Sequence, residues 1–267
     1  MSKKDLNGKI VWITGASSGL GEALSMLFAQ QGAHVVLSAR RKDELERVLN
    51  QMVYTERHLI VPLDVTDSKA IAAAHQHIIK QKGRVDWLIN NAGVSQRALI
   101  CDTTEQTDRQ IMEIDYFSPV ALTRQVLPDM LKQGSGKVVF VSSVAGLLGT
   151  QYRASYAAAK GAIHLWANSL RAEVADQGIE VAVIFPGFVK TNVSIAALTG
   201  NGEALGTMDD AQANGLTSTE FAEQAIDALL AGEEYIVIGG LKEKVGVWLS
   251  RLSPHLMYKM IRKSKVR

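Results

Sequence analysis

One pattern limits the fold of this chain more than any other. Short, unbroken apolar runs alternate with stretches of helical period along nearly its whole length. The apolar runs are Lys9–Thr14, Ala33–Ser38, His58–Leu63, Val85–Asn90, Val138–Ser142, Glu180–Ile184 and Tyr235–Ile238. Between them fall helical stretches at Leu20–Gln31, Lys42–Met52, Asp67–Lys82, about Thr104–Lys132, about Arg153–Gln177 and Ser218–Ala231. Unbroken runs suit strands covered on both faces, because a strand with one wet face would alternate apolar and polar. Repeated strand–helix units predict an α/β fold: a doubly wound parallel sheet with helices on both faces, three αβα layers in all. Such sheets bind ligands at the carboxyl ends of their strands, near the reversal in strand order.

The first run leads into Thr14-Gly15-Ala16-Ser17-Ser18-Gly19-Leu20-Gly21. Gly15 permits a tight turn, Gly19 a close backbone approach to a phosphate, and Gly21 close packing of helix on strand. Ser17, Ser18 and Leu20 complete a cradle over the free N–H groups and positive dipole end of the next helix. A plain structural turn is the competing reading of this loop alone. The second run ends Ser38-Ala39-Arg40-Arg41, with no acid to hold a ribose 2′-hydroxyl or repel a 2′-phosphate. Arg40 is placed to pair with that phosphate, which favours NADP(H) over NAD(H). Its competing reading is a solvated loop charge.

Tyr156 and Lys160 are four apart on an expected helix and share one face. A free tyrosine loses its proton only near pH ~10, and a neighbouring ammonium favours the phenolate. Ser143, at the end of the run before that helix, can donate to a substrate oxygen. Tyr152 lies one turn away but has no lysine four residues on.

These segments together make the chain resemble the short-chain dehydrogenase/reductase family, in its single-domain branch. The likeness runs from Gly8 to Gly240 through Thr14–Gly21, Asp64, Asn90-Asn91-Ala92-Gly93, Ser143, Tyr156-x3-Lys160 and Pro186-Gly187 with Thr191. It implies a Rossmann-type sheet and a homodimer or homotetramer acting on a small carbonyl or alcohol. Asp64 and the Val65 backbone are implied as adenine contacts. Asn90, Ala92 and Gly93 would line the cofactor, and Pro186, Gly187, Val189 and Thr191 would hold its nicotinamide end. Ser143, Tyr156 and Lys160 would form the catalytic trio, with hydride passing between nicotinamide and substrate. One position departs from the family pattern: Asp115 stands where an asparagine usually marks a kink and a proton relay. An epimerase or dehydratase on the same chemistry fits less well, because such relatives usually carry a longer carboxyl-terminal domain. A dinucleotide-sensing protein without catalysis is the alternative from another class.

Composition narrows the rest. The net charge of +2 gives no general case for nucleic acid, although residues 242–267 carry +7 and the remaining body −5. Cys101 is the only cysteine, so neither an internal disulfide nor a thiolate zinc site is expected, and a buried or half-buried position is. The six histidines form no ligand cluster; His75 and His77 are expected at the surface. The start Met1–Lys9 lacks the apolar core of a signal peptide, and no run has the length of a membrane span. The expectation is one catalytic domain over 1–241, a lid over about 192–216, a basic amphipathic tail over 242–267, and a cytoplasmic location. In the tail, Val245, Trp248, Leu249 and Leu252 follow helical spacing, and Met257, Met260 and Ile261 resume it after Pro254, among Lys259, Arg262, Lys263, Lys265 and Arg267. That pattern fits peripheral contact with anionic lipid, or a helix packed on the body or on another subunit.

Overall fold

The computed structural model describes residues 6–263. Its strands and helices follow in order: β1 (Ile10–Thr14), α1 (Gly19–Gln30), β2 (His34–Ser38), α2 (Lys42–Leu49), β3 (Leu59–Ile60), α3 (Ser68–Lys82) and β4 (Trp87–Asn90). Then come α4 (Glu105–Met112), α5 (Ser118–Gln133), β5 (Gly136–Val141), α6 (Ala154–Glu173), β6 (Ile179–Pro186) and β7 (Val189–Lys190). The chain closes with α7 (Asp210–Ala213), β8 (Leu216–Thr217), α8 (Ser218–Ala231), β9 (Tyr235–Ile238), α9 (Leu241–Leu252) and α10 (Pro254–Lys263).

Seven strands pair in parallel in the order β3-β2-β1-β4-β5-β6-β9. The order reverses between β1 and β4, so a crevice opens at their carboxyl ends. The unbroken apolar runs now have their explanation. On β1, Val11 and Ile13 face one core with Leu24, Phe28 and Phe221 from α1 and α8. Ile10 and Trp12 face the other core, with Ile78, Val126 and Ile163 from α3, α5 and α6. Successive side chains point to opposite faces, and both faces are covered. The doubly wound, three-layer arrangement is the one expected.

Several local expectations needed correction. The long helix of 104–132 is two helices joined by a π-turn, Glu113–Phe117. The run at 58–63 is regular strand only over Leu59–Ile60, at the sheet edge, although Val61 and Leu63 N–H still donate to the Leu37 and Ala39 carbonyls at 2.9 Å each. His75 is buried, not at the surface: it shares the inward face of α3 with Ile71 and Ile78 and stacks on Trp12 at 6.5 Å. Cys101 is exposed, because its short turn at Ile100–Asp102 projects from the body. In the tail, α9 turns Gly246 and Val247 inward, and Val247 joins the core that holds Leu148. Val245, Trp248 and Leu252 face outward at 49%, 65% and 62% exposure. Lys265 and Arg267, like the start Met1–Asp5, lie outside the described residues. Among those described, no helix is long and apolar enough to cross a membrane.

Candidate active site

The carboxyl ends of β1 and β4 are fastened together. Thr14 Oγ1 accepts from the backbone N–H groups of Asn91 and Ala92, each at 3.1 Å. Asn91 Nδ2 donates back to the carbonyls of Thr14 at 2.9 Å and Gly15 at 3.3 Å. Gly21 is required here, since a Cβ would stand 2.2 Å from the Gly15 carbonyl oxygen. Ser18 ends the loop without a side-chain cap on α1, so the first-turn N–H groups stay available. Thr191, after β7, closes over the loop: a Cβ at Gly19 would meet its methyl at 3.3 Å. A glycine turn held this tightly, with uncapped helix donors, fits the phosphates of a dinucleotide.

Arg40 is exposed just past β2. Asp64 lies near it: the Thr66 N–H bond above all, opposed by burial and helped by the Thr66 hydroxyl and Arg40, draws the Asp64 carboxyl below its ordinary value. The Asn90 amide turns under the sheet and donates to Thr123 Oγ1 at 3.2 Å. Pro186 ends β6, and the Gly187 N–H bonds the Ile238 carbonyl at 2.7 Å. The Val189 carbonyl accepts from Gln212 of α7, which ties the segment 192–216 to the sheet.

On the other side of the crevice, α6 is held at both ends of its first turns. Gln96 Oε1 accepts from the N–H groups of Ser155 at 2.9 Å and Tyr156 at 3.4 Å. Ser142 Oγ donates to the Lys160 carbonyl at 2.8 Å. Lys160 is 5% exposed; its Nζ donates to the Val141 carbonyl at 3.1 Å and lies 5.8 Å from the centre of the Tyr156 ring. Ser143 Oγ accepts from Ala145 N–H at 3.1 Å and reaches the Pro186 carbonyl at 3.5 Å. Tyr152 lies before α6 with a left-handed backbone (φ 65°), so it is not on the face that Tyr156 and Lys160 share.

The π-turn aims Asp115 into this floor. Its Oδ1 accepts from Val94 N–H at 2.9 Å and stands 3.7 Å from Lys160 Nζ, while Oδ2 is buried with no partner. Burial pushes the carboxyl up to about 6, against the pull of Lys160. Gly93 is the reason these groups can meet: a Cβ there would sit 2.8 Å from Asp115 Oδ1 and 3.1 Å from Lys160 Nζ.

The structure therefore brings Tyr156, Lys160, Asp115 and Gly93 together, sets Ser143 against Pro186, and puts Asp64 near Arg40 past β2, while Val65 packs on the core. The sequence pattern pointed to neither Gln96 nor Gln212, and it placed Asn91 along the cofactor without its bonds to the Thr14 and Gly15 carbonyls. Gln96 and Gln212 carry no local pattern; only the fold shows what they bind.

Comparison with known proteins agrees with this architecture. A family model described as short chain dehydrogenase matches residues 9–201. A Drosophila melanogaster protein, Dehydrogenase/reductase SDR family protein 7-like, is 38% identical over 99% of this chain and 83% of its own length. A Danio rerio relative, Dehydrogenase/reductase SDR family member 7B, is 37% identical over 97% of this chain and 86% of its own. Among solved structures, a short-chain dehydrogenase from Streptomyces avermitilis superposes with a TM-score of 0.81 at 29% identity, covering 96% of this chain and 98% of that one. A Burkholderia phymatum enzyme in complex with NAD superposes at 0.85 and 24% identity, over 95% and 96% of the two chains. The last likeness shows the fold alone.

Proposed function

The chain belongs to the short-chain dehydrogenase/reductase family, and from that premise we propose that it is an NADP(H)-dependent reductase or dehydrogenase acting on a carbonyl or secondary alcohol. The observation that carries the reading is the convergence on α6: buried Lys160 beneath the Tyr156 ring, with Ser143 at the end of β5. The residues that would hold the dinucleotide are Gly15–Gly21, Asp64, Val65, Asn90–Gly93, Pro186, Gly187, Val189 and Thr191. Arg40 would meet the 2′-phosphate, since β2 ends with no carboxylate to repel it. A bound nicotinamide supplies or accepts the hydride.

The chain's own groups handle the oxygen and its proton. Tyr156 gives a proton to the substrate oxygen in reduction and removes it in oxidation. Ser143 donates to the same oxygen and stabilises charge developing there. Lys160 stabilises the phenolate, and its hold on the Val141 carbonyl fixes its place. Asp115 sits behind Lys160 as an acceptor on the proton's way out. Exposed Phe117 and Leu165, at 52% and 67%, sit at the start of α5 and on α6 and suit a contact between copies of the chain.

The test follows NADPH absorbance with a panel of ketones, aldehydes, sterols and acyl ketones. Wild type should oxidise NADPH with part of the panel, and Tyr156→Phe should lower turnover by about 10²- to 10⁴-fold. NADPH should exceed NADH in kcat/KM, and Arg40→Ala should narrow that gap. Tight NADPH binding with no turnover across the panel would instead favour a dinucleotide sensor.

A second reading concerns the outer face of α9. Leu241, Val245, Trp248 and Leu252 lie on one stripe and are 79%, 49%, 65% and 62% exposed. Lys242, Lys244 and Arg251 accompany them, with Glu243 the one acid of that helix. Apolar residues among cations fit a membrane surface rich in anionic lipid. Full chain should sediment with vesicles containing phosphatidylserine, lose that binding in high salt, and lose it in Trp248→Glu/Leu252→Glu. Equal, negligible sedimentation of both proteins would sink the membrane contact.

A further inference from the structure

A second group of charges lies close to Tyr156, and it does not balance. Arg97 follows β4, Arg153 stands three residues before Tyr156 at the start of α6, and Asp209 belongs to the segment 192–216. Their side chains are 6%, 9% and 4% exposed. Asp209 Oδ2 accepts from Arg97 Nε at 2.8 Å and also from its Nη2. Arg97 Nη1 is satisfied by Ser95 Oγ at 2.8 Å and the Gln96 carbonyl at 2.6 Å. Arg97 thus bonds through all three of its nitrogens, and two of those bonds fall on Asp209 Oδ2.

Arg153 is left with little. Its Nη2 reaches Asp209 Oδ2 at 3.4 Å, and its Nε is buried with no partner. The guanidinium lies 5.4 Å from the centre of the Phe188 ring, in the stretch between β6 and β7. Burial first, then Arg97, pushes Arg153 down to about 10, so it stays charged at neutral pH. Two guanidiniums against one carboxylate leave a net positive charge in a nearly dry wall. A buried, under-bonded charge is costly, and an anion that fills its free donors relieves that cost.

We propose that Arg153, backed by Arg97, is the binding point for an anionic group, a carboxylate or a phosphate ester, carried by the carbonyl substrate. The inference rests on the reading that Tyr156 serves the substrate oxygen. The Arg153 guanidinium is near enough to Tyr156 to interact with it electrostatically, so an anion held there lies close to the reacting carbon. Phe188 gives the guanidinium an apolar face to lie on. Asp209 holds both arginines in place, which ties the segment 192–216 to the anion site. Guanidinium, planar and with several donors, suits either anion in two-point contact.

The test uses matched ketones on one carbon skeleton: a keto acid, its methyl ester, a keto alcohol and its phosphate ester. In wild type, kcat/KM for the charged members should exceed that for the neutral ones by about 10- to 100-fold. Arg153→Met should bring that ratio towards one, and Arg153→Lys should restore part of it. Comparison of the keto acid with the phosphate ester shows which anion is preferred. A wild-type ratio near one, or an Arg153→Met variant that keeps the ratio while losing activity on all four, overturns the proposal. Calorimetry with benzoate and phenyl phosphate on the NADP-loaded protein separates this from failure of the catalytic reading. Binding lost in Arg153→Met, without turnover of any ketone, sinks the reductase reading and leaves the anion site standing. Binding of neither probe to wild type overturns the anion site whatever the turnover.

Discussion

The two buried charge clusters near Tyr156 differ in balance and in origin. Asp115 and Lys160 are one acid and one base, 0% and 7% exposed, set on the π-turn and on α6. Arg97, Arg153 and Asp209 are two bases and one acid, drawn from loops, a helix start and the segment 192–216. The first cluster is rooted in regular structure. The second is short of one negative charge, and its acid sits more than a hundred residues from Arg97 in sequence. Rigid, paired charge suits chemistry that never changes, whereas unpaired charge suits recognition.

The hardest blow to that comparison is Lys160→Met. It should cut kcat by about 10²- to 10⁴-fold on every substrate. The preference among substrates should stay where it was, because the other cluster is untouched. A change in preference would mean that the two clusters act as one. Next in size is Asp209→Ala, which leaves two buried guanidiniums without their carboxylate. Urea unfolding should show a loss of about 3–5 kcal/mol. A loss under ~1 kcal/mol would mean that water already reaches Arg97 and Arg153, and the contrast in burial would fail.

The sheet and the floor were readable in the chain for the same reason. Continuous runs such as Ile10–Thr14 exist because both faces of β1 are covered, and the four-residue spacing of Tyr156 and Lys160 is local helix geometry. Asp115 also announced itself as a departure at a known place. The second cluster carries no such signal. Arg97, Arg153 and Asp209 meet only when β4, α6 and the segment after β7 come together, and Arg153 reads in sequence as an ordinary helix start. His75 failed for the opposite reason. Its polarity suggested surface, but the inward face of α3 and stacking on Trp12 outweigh that polarity. The stripe on α9 was correctly read as helical, yet its direction was not legible, because Val247 rather than Trp248 packs on the core.

The smallest expected effect tests whether the balanced pair is as settled as it looks. Burial raises the Asp115 carboxyl from its ordinary 3.8 to about 6 in the folded protein. Between those values the folded chain holds a proton that the unfolded chain has released. Asp115 therefore favours folding at low pH, and that contribution is lost as pH rises through about 6. The full span is worth roughly 3 kcal/mol at most, at ~1.4 kcal/mol for each pH unit. Asp115→Asn cannot titrate, so the difference between its stability and that of wild type isolates this carboxyl. Histidines 34, 58, 75 and 164, all held below their ordinary value mainly by burial, act on both proteins and cancel. Urea unfolding from pH 4 to 8 should show wild type losing ground to Asp115→Asn, most steeply at about pH 5, between the two values, and running parallel from about pH 7 on. Wild type gaining ground instead would mean that Lys160 outweighs burial and keeps Asp115 ionised throughout. Both clusters would then be held chiefly by ion pairing, and the distinction between them would rest on the missing negative charge beside Arg153 alone.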